Sequence, residues 1–347
     1  MESNNIKYWD NASTTSCRKE VVDAMMPFFD KLFGNASSQH FLGKKALDGI
    51  NSSRAKVGSL INVDSSQVYF TSGSTESINW VLKGYVLNPK NNCNHIITAK
   101  TEHKAVLETC KYLEDLGVDV SYVDLDENGL VIGESFQKCL KKRANSLVCL
   151  MHVNNETGVI QDLRKLVAIT KAHNSVFFSD GTQAAGKIEV DVEEVGLDYY
   201  CFSAHKIHGP KGVGMLFQKT TGFLIPLLHG GSQEDGERAG THNTPGIIGL
   251  GKAAEMAKVE FLKRFKEVVA EKQKIIEGLN VKELFTTVNK SPYIISVEVE
   301  EDEQGYLMKN AKNFIASMGS ACNASIVEKS HVLSAIGIQS NVIRISI

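Results

Sequence analysis

Lys206 stands between His205 and His208 in "CFSAHKIHGPKGVGML", directly after an apolar run and directly before glycines. A lysine partly desolvated among other cations loses some of its protonation and can form a Schiff base with an aldehyde. Alone in a loop it would read as a solvated surface charge, so its companions decide. Asp180 ends the apolar run "SVFFSD", where an unpaired carboxylate is costly to bury. One reading makes Asp180 a helix cap. The other gives it a protonated pyridine nitrogen, which would satisfy the carboxylate and keep pyridoxal phosphate acting as an electron sink. "TSGSTES" sets a glycine and hydroxyls between a strand and a helix beginning near Ser74. There, backbone N–H groups and the positive end of the helix dipole would face an anion, although serine and threonine are also ordinary helix caps. A phosphate cradle, a pyridine-facing carboxylate and a strand-end lysine together amount to a pyridoxal 5′-phosphate site. His103, in "TEHKAV", could stack on the ring and move protons.

These residues need a common platform. Short β-rich runs alternate with helical patterns over the first two-thirds of the chain, as expected of an α/β domain with a mainly parallel sheet. The runs are "QVYFTS", "NHIITAK", "SLVCLMHV", "SVFFSD", "YYCFSAH" and "GVGMLFQ". Ligands of open α/β sheets sit beyond the carboxyl ends of the strands. The residues that follow the runs therefore collect Thr75, His103, Asn155, Asp180, Gln183, Ser203, His205 and Lys206 on one edge of one sheet. After "THNTPG" the texture changes: Ile247 to Leu279 reads as a long amphipathic helix with room for one break, and "SPYIISVEVE" as an exposed strand. The expected boundary lies near residue 246.

A chain of 347 residues exceeds one comfortable core, which favours a large domain with a smaller one. Lys+Arg 38 against Asp+Glu 40, with no basic stripe, recommends neither nucleic acid nor an anionic membrane as partner. The cysteines at 17, 93, 110, 139, 149, 201 and 322 contain no C-x-x-C pair, which fits neither a disulfide framework nor a zinc site and suits a reducing compartment. The opening residues lack a signal or transit pattern, and no apolar stretch approaches the roughly eighteen residues of a membrane span. A cytoplasmic protein with a small-molecule site and no bound metal is expected.

The blocks "YWDNASTT", "GNASSQH", "FTSGSTES", "TEHKAVLETC", "VNNETGVIQDL", "SDGTQAAGK", "SAHKIHGPKGVG", "GERAGTHN", "MGSACNAS" and "SHVLSAIG" resemble, in order and over nearly the whole chain, the cysteine desulfurases of the class V aminotransferase family. The resemblance implies the aspartate-aminotransferase-like fold type I. A large domain (16–246) would carry a mainly parallel seven-stranded sheet flanked by helices, and a smaller α+β domain (1–15 and 247–347) the catalytic cysteine loop. It implies conversion of L-cysteine to L-alanine with Lys206 as Schiff-base lysine, Asp180 as pyridine partner and His103 as stacking residue and proton donor. Asn155 and Gln183 would meet the ring substituents, and Ser74, Thr75, Ser203 and His205 the phosphate. Thr241 would reach the phosphate of the neighbouring subunit, so a homodimer is implied. Arg344, in "NVIRISI", would hold the substrate carboxylate beside Asn155, a task suited to a bidentate guanidinium.

Cys322, in "SMGSACNASIVEKS", lies in a stretch of small residues that reads as an exposed loop, whereas Cys149 and Cys201 fall inside apolar strands. The resemblance makes it the thiolate that takes the sulfur as a persulfide and passes it to an acceptor protein, an iron-sulfur scaffold or a sulfur carrier. A selenocysteine lyase, or a silent scaffold, is the alternative. The chain departs from the family where "GGGxERG" becomes "GGSQEDG", with Ser232 and Asp235. An anion there replaces a cation near the dimer-side phosphate region, which would either weaken cofactor binding or reorganise a surface ion pair. The chain also stops at Ile347, where family members continue into a segment that helps receive the acceptor, so the acceptor is left open.

Overall fold

The computed structural model describes residues 6–318 and 330–347. Its main sheet has seven strands in the order Val68–Thr71, Gly214–Gln218, Tyr199–Ser203, Val176–Asp180, Leu147–Cys149, His95–Thr98 and Asp119–Tyr122. Gly214–Gln218 is antiparallel to both its neighbours, and every other pairing is parallel. The mainly parallel seven-stranded sheet is therefore as expected. All the apolar runs named above become strands, and Asp119–Tyr122 joins them at the edge.

The strands read as continuous apolar runs because both faces are covered. Ile97, Val148, Phe177 and Tyr200 point into one core with Ala46, Ile50 and Val57 of the helix Phe41–Ile61 and Leu250 and Ala254 of the helix Thr244–Leu279. Their neighbours Ile96, Leu147, Phe178 and Tyr199 point into the opposite core with Ile78 and Val81 of the helix Ser74–Val86 and Val106 of the helix Lys104–Asp115. The period of two along each strand assigns one residue to each face.

The helix Thr244–Leu279 runs unbroken through 36 residues. Asn243 caps it by accepting from Gly246 N at 3.1 Å, proline occupies its first turn, and Asn280 ends it in the left-handed conformation at φ 50°. Beyond it lies an antiparallel sheet in the order Ser317–Met318, Asn341–Ser346, Ile294–Val299, Lys282–Glu283. "SPYIISVEVE" is consequently not an exposed strand. Ile294–Val299 is an interior strand: Ile295 and Val297 pack with Val268 and Ile275 of the long helix, while Ile294 packs with Ala12, Val153 and Ala184.

The N-terminal segment crosses to this second sheet. Lys7–Tyr8 pairs parallel with Phe314–Ile315, Asp10 bridges to Ser346, and Ala12 N donates to Ser346 Oγ at 2.8 Å. This brings residues 10–13 and the C-terminal strand to the same sheet edge as Lys206.

Candidate active site

The cradle begins at Gly73, whose φ of 152° suits glycine, and at Ser74, the first residue of its helix. A Cβ on Gly214 would lie 2.6 Å from the Cα of Gly73, so glycine there lets two strand ends close on each other. Ser74 N donates to Ser203 Oγ at 2.8 Å, and the Ser74 hydroxyl lies 2.9 Å from Ser203 Oγ and 2.6 Å from Thr182 Oγ1. The first-turn amides at Thr75 and Glu76 have no intrahelical acceptor by geometry, which is the arrangement that receives an anion. Glu76 holds the turn from behind, accepting from Ser72 N at 2.8 Å and from Arg238 Nε at 2.8 Å.

Lys206 closes the short turn Ala204–Lys206 that follows its strand. Its Nζ donates to the carbonyl oxygens of Ala12 at 2.5 Å and Ser13 at 2.7 Å. Asp180 is the buried last residue of the adjacent strand, and its Oδ1 accepts from Thr182 N at 2.9 Å and from the Thr182 hydroxyl. His103 caps the helix Lys104–Asp115 by accepting from Ala105 N on Nδ1 at 3.1 Å, which leaves the proton on Nε2. Burial pulls the His103 imidazole below its ordinary range; Asp180 opposes this, and Lys206 and His331 add to it. His205, 3.1 Å from Thr14 Oγ1, is brought down to about 4 by burial and then by Lys206, Lys211 and Lys187. Both rings are therefore neutral near pH 7, and His205 would meet a phosphate as a hydrogen-bond donor rather than as a cation.

Arg344 is 3% exposed on the strand Asn341–Ser346. Its Nη1 donates to Asn155 O at 3.1 Å, and its Nη2 donates to Asp10 Oδ1 at 2.9 Å and Ser13 Oγ at 2.7 Å. Its Nε is buried without a partner among the described residues. A buried donor left unpaired on a fixed guanidinium suits an incoming carboxylate.

A cavity of about 370 Å³ gathers Ser74, Thr75, His103, Asn155, Asp180, Gln183, Ser203, His205, Lys206 and Arg344. Thr241 does not line it: it is exposed on the segment before the long helix. Cys322 lies outside the described residues. Ser13, Glu156, Thr182 and His331 also line the cavity, although the sequence reading gave them no role. Thr182 and Glu156 stand directly beside the candidate residues Gln183 and Asn155, and that adjacency is the signal that marks them. Burial raises the Glu156 carboxyl, while the Ser330 hydroxyl that donates to it and the charge of Arg344 act the other way. Asp235 is exposed at φ 57°, and its neighbour Glu234 is the buried member of the divergent loop.

Residues 7–347 match the family described as Aminotransferase class-V. The chain belongs to the class-V aminotransferase family. Within this family it is 40% identical over 347 residues to the cysteine desulfurase IscS of Methanosarcina thermophila, a match covering 98% of this chain and 85% of that relative. Among solved structures it superposes on a NifS-like protein with a TM-score of 0.91 and 35% identity, over 99% of this chain and 93% of the other. It matches SspA in complex with cysteine at a TM-score of 0.89 and 33% identity, over 98% of both chains. In this class-V chain the cysteines among the described residues all have raised thiols, which leaves little thiolate near pH 7. Cys93, Cys110, Cys139, Cys149 and Cys201 are buried, and burial pushes each thiol up, Cys110 to about 12. The half-buried Cys17 is raised for the same reason.

Proposed function

We propose that this chain is a pyridoxal-phosphate-dependent cysteine desulfurase that converts L-cysteine to L-alanine and carries the sulfur away as a persulfide on Cys322. One observation supports this above the others: a single cavity joins Lys206, Asp180 and His103 to a buried arginine whose Nε has no partner among the described residues. The donor set fits the cofactor. Ser74, Thr75, Ser203 and His205 offer hydroxyl and N–H donors to a phosphate, Asp180 offers a carboxylate to a pyridinium nitrogen, and Asn155 and Gln183 offer amides to the ring substituents. When bound, the cofactor supplies the electron sink that lets charge leave the substrate α-carbon.

The protein's own groups do the rest. Lys206 would hold the cofactor aldehyde through Nζ, and its free amine would take the substrate α-proton and give it back to the α-carbon before alanine leaves. Arg344 holds the substrate carboxylate, with Asn155 fixed beside it by the bond from Nη1. His103, neutral and protonated on Nε2, would stack on the bound ring and would pass protons. The Cys322 thiolate attacks the substrate sulfur. The Cβ–S bond breaks, the sulfur stays on Cys322 as a persulfide, and its bonding electrons return to Cβ, which is protonated to give alanine. The burial of five described cysteines and the raised thiol of Cys17 favour Cys322 for this task, and the desulfurase names of the relatives favour this reading over a selenocysteine lyase.

The rest of the proposal is a homodimer in which Thr241 reaches the phosphate bound by the neighbouring subunit, a large domain at 16–246 with a small domain formed by 1–15 and 247–347, and a sulfur-acceptor protein such as an iron-sulfur scaffold or a sulfur carrier. The crossing of residues 7–12 to the second sheet supports that division. No helix among the described residues is long and apolar enough to cross a membrane, and a cytoplasmic setting is proposed. The test is an assay of alanine and sulfide released from L-cysteine, with and without a thiol reductant. Alanine formed in equal amount to reducible sulfur supports the proposal, and no alanine from the cofactor-loaded protein refutes it.

A further inference from the structure

Lys187 is a lysine that the chemistry above does not use. It is buried, and its Nζ donates to Gln183 Oε1 at 2.6 Å. Burial brings its ammonium down to about 7, and the charges that act on it further, Lys206, Arg264 and Arg344, are all positive. No carboxylate offsets them among the groups perturbing it. An uncompensated buried cation is costly, and an apolar side chain of the same length would be more stable in its place. A lysine kept there needs a reason other than packing.

The reason lies in what Gln183 does next. Its Nε2 donates to Ala12 O at 2.9 Å, and the same carbonyl accepts from Lys206 Nζ at 2.5 Å. An ammonium has three donors and no acceptor, while a carbonyl oxygen only accepts. Lys187 therefore fixes Oε1 on its own side, and Ala12 fixes the amide nitrogen on the side of Lys206. Gln183 lines the cavity, and among the described residues only one of its Nε2 hydrogens has an acceptor, Ala12 O. Lys187 Nζ donates to Gln183 Oε1 at 2.6 Å, and a donor on that oxygen, strongest when the amine is protonated, makes the amide a stronger donor through its remaining hydrogen.

We propose that Lys187 is a positioning residue: it holds the Gln183 amide so that its N–H, and not its oxygen, meets an oxygen substituent of the ring bound in the cavity. The proposal rests on the pyridoxal-phosphate reading above. Lys187 touches neither cofactor nor substrate and acts through Gln183.

The experiment uses the full chain, freed of cofactor and titrated with pyridoxal 5′-phosphate by fluorescence, as wild type, Lys187→Met, Gln183→Leu and the double variant. Losing a hydrogen bond to a charged group predicts that Lys187→Met weakens the Kd for the cofactor by about tenfold. Gln183→Leu should weaken it to a similar extent. The double variant should be no weaker than the worse single variant, because both substitutions remove one chain of contacts. The melting temperature of cofactor-free Lys187→Met should equal or exceed that of wild type. Wild-type affinity in Lys187→Met, multiplication of the two single effects in the double variant, or a lowered melting temperature would each overturn the proposal while leaving the functional reading intact. Failure of the wild type to bind the cofactor would overturn both.

Discussion

Replacing Glu234 by glutamine removes a buried anion that ties the Thr241 loop to the main sheet. Arg54 grips the carboxylate with two bonds of 2.7 Å, His242 Nε2 lies 2.8 Å from Oε1, and Phe70 N donates to Oε2 at 2.8 Å. Arg54 in turn stacks 4.7 Å from the centre of the Phe70 ring. Burial alone would raise this carboxyl, but the bonds from Arg54 and His242 outweigh it and hold it down from its ordinary 4.5 to about 2. The side chain is 2% exposed, so solvent does little to screen the interaction. At ~1.36 kcal/mol for each tenfold change in acidity, the drop from 4.5 to about 2 corresponds to about 3 kcal/mol of folding stability. Because the folded-state value is depressed, that contribution is complete above pH 4.5 and is lost as pH falls from 4.5 through about 2. Glu234→Gln should therefore be less stable than wild type by about 3 kcal/mol at pH 7, and the gap should narrow to about 2 kcal/mol at roughly pH 3.5. Urea unfolding of both proteins across that range measures the gap. Glu234 and Asp235 also hold consecutive left-handed conformations at φ 48° and 57°, so release of the carboxylate should relax the backbone that leads to Thr241. A gap below about 1 kcal/mol at pH 7, or one that stays constant down to pH 3.5, would refute the claim that this ion pair holds the loop.

Three further outcomes concern the chemistry. Lys206→Ala should lose both turnover and the yellow absorbance of the lysine-bound cofactor, since Lys206 is the lysine at the end of the strand Tyr199–Ser203; full activity would remove the central assignment. Arg344→Lys should raise KM for cysteine by roughly 10- to 100-fold while cofactor absorbance persists, because a point charge cannot reproduce the guanidinium fork; lost cofactor with unchanged KM would give Arg344 another job. Cys322→Ser should bind cofactor and still shift its spectrum on addition of cysteine, yet yield no persulfide by mass spectrometry, and a persulfide at wild-type rate would send the search to Cys17.

The cavity was legible in the sequence wherever a strand end delivered the residue. Asp180, Ser203, Lys206 and His103 follow apolar runs, and a parallel sheet turns that linear position into a spatial one. Asp119–Tyr122 carries no strand signal in the sequence because "DVSY" is an edge strand, half-exposed and flanked by polar residues, so it lacks the continuous apolar run of its neighbours. Ile294–Val299 departs from the exposed strand that its sequence suggests for a related reason. Its serine and glutamate alternate with apolar residues and suggest an open face, yet Ser296 is buried and donates to Glu156 O at 2.7 Å, bridging the second sheet to the rim of the cavity. Arg344 shows where local pattern stops being informative. Its partners Asn155 and Asp10 lie 189 and 334 residues away: the crossing of the N-terminal segment to the last strand brings Asp10 to it, and Asn155 comes from the loop after the strand Leu147–Cys149. That crossing has a functional corollary. Ala12 and Ser13 receive Lys206 through their carbonyl oxygens while the Ser13 hydroxyl receives Arg344, so one short segment sets the distance between the amine that would hold the cofactor and the guanidinium that would hold the substrate. A displacement of residues 10–13 should therefore disturb cofactor and substrate binding together, whereas substitutions confined to either side chain should separate them.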